Sequence, residues 1–191
     1  MGLDGLGERA AGIERPRKGM DDPADTTPEA GTDDEKFLAM RERVKGSNID
    51  EKTLLATDYL NHFNEIVMLL EMVPDMPEIL EDAKAWQPKS YKDHFRDSTI
   101  ADKDLAMEAY DHVPAIYREP FEQTVQQLNT MIASSIERLE KNIEDGQAEV
   151  LKDNAQTFSR LIQRVMDVAS AIIHGSAKPM DQSEVDALLG D

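Results

Sequence analysis

Apolar residues recur at steps of three and four through most of the chain, which is the period of amphipathic helices. The pattern is most regular in the second half. Phe121, Val125, Leu128, Ile132, Ile136, Leu139 and Ile143 form one stripe, and Leu151, Ala155, Phe158, Ile162, Val165, Ala169 and Ile172 form another. Asp145 and Gly146 interrupt the two, and so short a break makes the pair an antiparallel hairpin. Each arm of about 25 residues is roughly 40 Å long at 1.5 Å per residue. A hairpin with a single seam buries too little by itself. It must therefore pack on the helix expected from Asp50 to Val73, on a second copy of the chain, or on both.

The first half is more broken. A short helix is expected from Asp34 to Lys45, ended by Gly46. Asn48 or Asp50 then caps a stronger helix, whose buried face carries Leu55, Tyr59, Phe63, Ile66, Leu70 and Val73. Pro74 and Pro77 stop it. Two further turns fit Glu78 to Trp86. The stretch from Pro88 to Ile100 reads as a polar connector with one marginal turn, Asp102 to His112 reads as a helix, and Pro114 and Pro120 are expected to break or kink the chain beyond it. Residues 1–33 lack periodicity and are rich in Gly, Pro, Asp and Thr, the composition of a disordered acidic tail, with a small basic cluster at Arg15, Arg17 and Lys18. The expected organisation is this tail, an N-terminal helical region over 34–118, the hairpin over 119–174, a linker over 175–181 and a terminal helix over 182–191. The fold class is all-α: a long antiparallel helical hairpin, made into a four-helix bundle by dimerisation, with extra N-terminal helices.

Composition narrows the partners. The 191 residues are 40% hydrophobic but only 5% aromatic, with ten Met and one Trp, which suits an aliphatic helical core. Thirty-nine acidic against 21 basic residues give a formal charge of −18, and that charge argues against nucleic acid or an anionic membrane as the partner. There is no cysteine, so disulfides, thiolate metal sites and cysteine nucleophiles are excluded. No run of 18 apolar residues occurs, and Met1 to Glu8 lack a secretory pattern, so the expected location is the cytoplasm.

Candidate chemistry is sparse. Asp58 and His62, and likewise Glu108 and His112, stand four apart, a spacing that lets two side chains share a metal. The diiron carboxylate pattern instead wants a Glu three residues before its His, and Tyr59, Tyr91 and Ala109 stand at those positions. No metal site and no cofactor are expected. Glu122 and Gln126, with Asn129 beyond, form an acid and amide set of the kind that orients a water, and the same residues also suit a solvated helix face. No phosphate-cradling glycine loop and no nucleophile elbow are present.

The last ten residues are a candidate docking peptide. Ser183 with Asp186 is a small capping box, Val185, Leu188 and Leu189 share one helical face, and Gly190 is a stop. So short a helix gains order by laying its apolar face in a partner's groove. Gln182, Glu184, Val185, Asp186, Leu188 and Leu189 fit the approximate pattern Ser-Gln-x-Glu-(Ile/Val)-Asp-x-Leu-Leu. That pattern resembles the CheY-binding peptides that end the CheZ chemotaxis phosphatases and begin the flagellar switch protein FliM. The helix upstream, Asp153 to Val168, is similar to the catalytic helix of the CheZ family, with Asp153, Ile162, Arg164, Met166, Asp167 and Val168 coinciding ungapped. The two matches cover about 26 residues.

The resemblance implies binding to a CheY-type receiver domain through the terminal peptide, a homodimer, and a candidate aspartyl-phosphate phosphatase whose magnesium would belong to the receiver. The family inserts an acid and a water-orienting amide. Those positions fall here on Gln156 and Arg160, so the amide is replaced by a cation. Asp153, Gln156, Arg160 and Gln163 are the catalytic candidates, Asp153, Gln156 or Gln163 taking over if the register slips. The competing reading is a non-enzymatic helical scaffold or adaptor with an acidic docking peptide.

Overall fold

The structure, a computed structural model, describes residues 32–176. Within them the chain is all-α, with seven helices: α1 (Asp33–Arg43), α2 (Asn61–Met72), α3 (Ile79–Ala85), α4 (Tyr91–Asp97), α5 (Lys103–Tyr110), α6 (Ala115–Glu144) and α7 (Ala148–Ile173). No strand occurs among the described residues; the single antiparallel bridge joins Ile49 to Ala56. None of the described helices is long and apolar enough to cross a membrane.

α6 and α7 are the hairpin, 30 and 26 residues long, and the two stripes meet along it. The turn depends on one residue. Gly146 adopts φ +68°, its N–H reaches the Ile143 carbonyl at 3.0 Å, and the Gln147 N–H reaches the Asn142 carbonyl at 2.9 Å. Those two bonds satisfy carbonyls that the end of α6 would otherwise leave open. Just above the turn, Asn154 Nδ2 donates to Asn142 Oδ1 at 2.7 Å, and Asn142 Nδ2 donates to Gln147 Oε1 at 3.2 Å. This amide ladder joins the last turns of α6 to the first turns of α7, and so fixes the antiparallel register.

Phe121, Leu128, Ile132 and Leu139 of α6 and Ala155, Ile162, Val165, Ala169 and Ile172 of α7 are at most 1% exposed within one chain. The seam is covered by α2, which packs along α7, and by α3, which packs on both α2 and α6. Every position of the expected α2 face, Leu55 through Val73, is buried. The Asp50–Val73 region is therefore one of the partners on which the hairpin packs. Ion pairs such as Arg43–Glu108 and Lys84–Glu140 join the outer helices at the surface, where solvent screens them and they contribute little to stability.

Three local expectations are corrected. Asp50 does not cap α2. Its Oδ1 instead accepts from the N–H groups of Lys52 (2.8 Å) and Thr53 (3.1 Å), folding 50–56 into a loop, and the helix starts later, through a 3₁₀ turn at Thr57–Leu60. Leu54 sits in this loop at φ +64°, a conformation that costs a branched residue about 1–2 kcal/mol, yet its side chain is fully buried, which returns a similar amount. The supposed connector after Pro88 contains α4, whose N-cap is the Ser90 side chain and whose Tyr91 and Phe95 are buried. Pro120 does not break α6. It lies within the second turn, and the helix runs through it from a start at Ala115.

Candidate functional site

Because one face of α7 is committed to the seam, its other face is left to solvent. Asp153, Gln156, Arg160 and Gln163, spaced by three and four, all lie there and all are exposed. They span roughly 15 Å along the helix axis. The structure thus brings the four sequence candidates into one stripe. It adds a neighbour that the sequence did not point to: Glu71 near the end of α2, whose Oε1 accepts from Gln163 Nε2 at 3.4 Å. Toward the other end of α2, Thr57, Asp58, Asn61 and Asn64 face Asp167 and Ser170 of α7 across a polar groove of about 310 Å³. The stripe therefore continues as a two-helix surface of amides and carboxylates, with Met68 of α2 standing out at 54% exposure.

Chemically, this surface can bind but offers little by way of acid–base machinery. Arg160 presents five donors and no acceptor, and the amides of Gln156 and Gln163 flank it one turn to either side. Such a set can pair with a phosphoryl or carboxylate group. It contains no histidine and no buried carboxylate.

The remaining candidates go elsewhere. Glu122 accepts from the Tyr110 hydroxyl at 2.8 Å, Gln126 is exposed, and Asn129 turns toward α3, so the three do not form one site. Glu108 is held by Arg43, while His62 Nε2 accepts the Lys89 N–H at 3.2 Å. Among the described residues no group of three or more His, Cys, Asp or Glu side chains is placed to hold a metal. The terminal residues Gln182, Glu184, Val185, Asp186, Leu188 and Leu189 lie outside the described residues, as do residues 1–31 of the acidic tail.

One feature went unread in the sequence. Seven of the ten aromatic residues, Tyr59, Phe63, Trp86, Tyr91, Phe95, Tyr110 and Phe121, join His62 and His94 in a single network of ring contacts. Burial, then the neighbouring His94 and Lys89, push His62 down to about 4, against a hydrogen bond to Gln87 that works the other way. His94 is lowered for the same first reason, and its Nε2 is buried without a partner. The clue available in the sequence was the crowding of aromatics between 59 and 121 in an aromatic-poor chain.

No family model, no curated protein and no solved structure matches this chain.

Proposed function

We propose that the protein binds a CheY-type receiver domain, with segment 182–191 as a tether and the exposed α7 stripe from Asp153 to Gln163 as the docking face. The observation that carries this reading is the accessibility of the stripe: four polar side chains in a row, on a rigid helix whose opposite face is locked into the core. A weak peptide joined to such a face raises the local concentration of its target, so that neither contact needs to be strong alone.

Arg160 decides between the two forms of the reading. A glutamine carbonyl accepts a hydrogen bond from an attacking water, whereas a guanidinium cannot. It can hold phosphoryl oxygens in a fork. The favoured form is a binding protein that engages the phosphorylated receiver without hastening its dephosphorylation, which places it nearer to the adaptor alternative than to a phosphatase.

Titration of a fluorescent receiver with the full chain, with a chain lacking residues 181–191, and with the Q156A/R160A double variant tests this. Both changes should weaken binding at least tenfold, about 1.4 kcal/mol, with helicity unchanged. Affinity that survives both would remove the proposal.

A further inference from the structure

A groove of about 310 Å³ lies between α6 and the end of α3 with the residues that follow it. Its floor and walls are apolar: Trp86 and Pro88 on one side, Ile132, Ala133 and Ile136 of α6 on the other. This volume is at the lower end of the range of ligand sites, and the α6 residues that line it, 129 to 140, run for roughly 16 Å, three turns of a docked helix.

Trp86 is held for this position. Its Nε1 donates to the His62 carbonyl at 3.3 Å, and one ring face stacks on the His62 imidazole at 4.6 Å with 21° between the planes. The indole is therefore anchored from behind and partly exposed in front. The rim is acidic: Glu137 is exposed and unpaired among the described residues, while Lys84 is taken up by both Glu140 (2.7 Å) and Glu81 (3.1 Å), so two carboxylates share one ammonium. Asn129 also lines the groove, but its side-chain oxygen is buried away from the groove's open surface.

We propose that this groove docks the apolar side of a short basic amphipathic segment of a partner protein. Leucine- or isoleucine-sized side chains fill the space over Trp86 and Ala133, and lysine or arginine on the flank of the same segment meets Glu137 and the surplus carboxylate beside Lys84. An acidic rim disfavours an acidic occupant such as the segment 182–191 of this chain, so the site is separate from the receiver reading and does not depend on it.

The chain carries its own reporter, because Trp86 is its only tryptophan. The full-length protein is titrated with a synthetic peptide of leucine and lysine, the leucines at i, i+3, i+4 and i+7, while Trp86 emission is recorded. A saturable blue shift is expected. Ala133→Phe, which fills the groove from an exposed position without altering charge, should weaken it at least tenfold, and Glu137→Lys should do the same, which keeps the test standing if the first variant is misfolded by circular dichroism. The same peptide with glutamate for lysine should leave the emission unmoved. Binding without an emission change, equal binding by both variants, or an equal shift with the glutamate peptide or a neutral detergent would overturn the proposal.

Discussion

Trp86 lies flat against His62, ring over ring, while the backbone N–H of Lys89 points into His62 Nε2 at 3.2 Å. An imidazole used as an acceptor on that nitrogen is neutral, and a second proton there would face a donor. This explains why burial is able to hold the group at about 4.

Stability should therefore fall in acid. Between about 6.5 and 4 the unfolded chain protonates its imidazole and the folded chain does not, so stability is complete above 6.5 and declines as pH falls through that window. His94 adds in the same direction. The His62 shift alone corresponds to a loss on the order of 2–3 kcal/mol between pH 7 and pH 4.5. Urea midpoints should drop from pH 7 to pH 4.5, and His62→Gln, which cannot titrate, should flatten the curve. An unchanged midpoint over that range would contradict the assignment.

Thr53 closes the far end of the molecule. Its hydroxyl donates to the Ile173 carbonyl at 2.6 Å and accepts the Leu55 N–H at 3.3 Å, both out of reach of water. Ile173 O is one of the four carbonyls that a helix end cannot satisfy itself. Thr53→Val keeps the shape and strands both groups, at about 2 kcal/mol, which in a chain of this size lowers the melting temperature by roughly 4–8 °C. A shift below about 1 °C in calorimetry would show that the bond contributes little.

Gly175 ends α7 at φ +88°, and a Cβ there would meet the Lys52 side chain at 2.6 Å, displacing the Nζ that donates to Gly175 O at 3.0 Å. Gly46, at φ +79°, has open space around it. Gly46→Ala should therefore cost only the conformational penalty of about 1 kcal/mol, and Gly175→Ala slightly more, since the exposed Lys52 tail can swing aside only by giving up its bond to Gly175 O. In a Lys52→Ala background the excess should vanish, leaving the two glycines equal. A double-mutant cycle by denaturant unfolding reads this directly, and additive effects would separate Gly175 from Lys52.

The long seams were legible because two long helices of unbroken period leave one solution for each, and the α7 stripe was legible as their complement. Shorter elements were not. α4 has two apolar anchors in seven residues, and Tyr91 and Phe95 become core only because Tyr59 and Tyr110 come from other elements to meet Tyr91, which in turn packs on Phe95. Leu54 in a left-handed conformation has no local signal, since its burial and the Asp50 turn that holds its N–H sustain it. Glu71 beside Gln163 and the groove in front of Trp86 depend on how α2 and α3 lie across the hairpin, which periodicity does not specify.

Arg160 is the residue on which the receiver reading turns. It is exposed, so Arg160→Gln should leave folding unchanged, while exchanging a set of five donors for an amide whose carbonyl can accept from water. If the stripe meets the phosphorylated site of a receiver, the parent chain should leave phosphate loss at or below its intrinsic rate. The Gln variant, with Gln156 and Gln163 still flanking the position, should raise it, by about tenfold if the amide is held in a productive orientation. Timing phosphate release from a phosphorylated receiver with each protein in excess decides the matter. Acceleration by the parent chain would assign the chemistry to Asp153, Gln156 or Gln163 and would make Arg160 a phosphate clamp within a phosphatase. Identical slow decay with both proteins, at concentrations where binding is saturated, would mean that position 160 does not face the phosphoryl group.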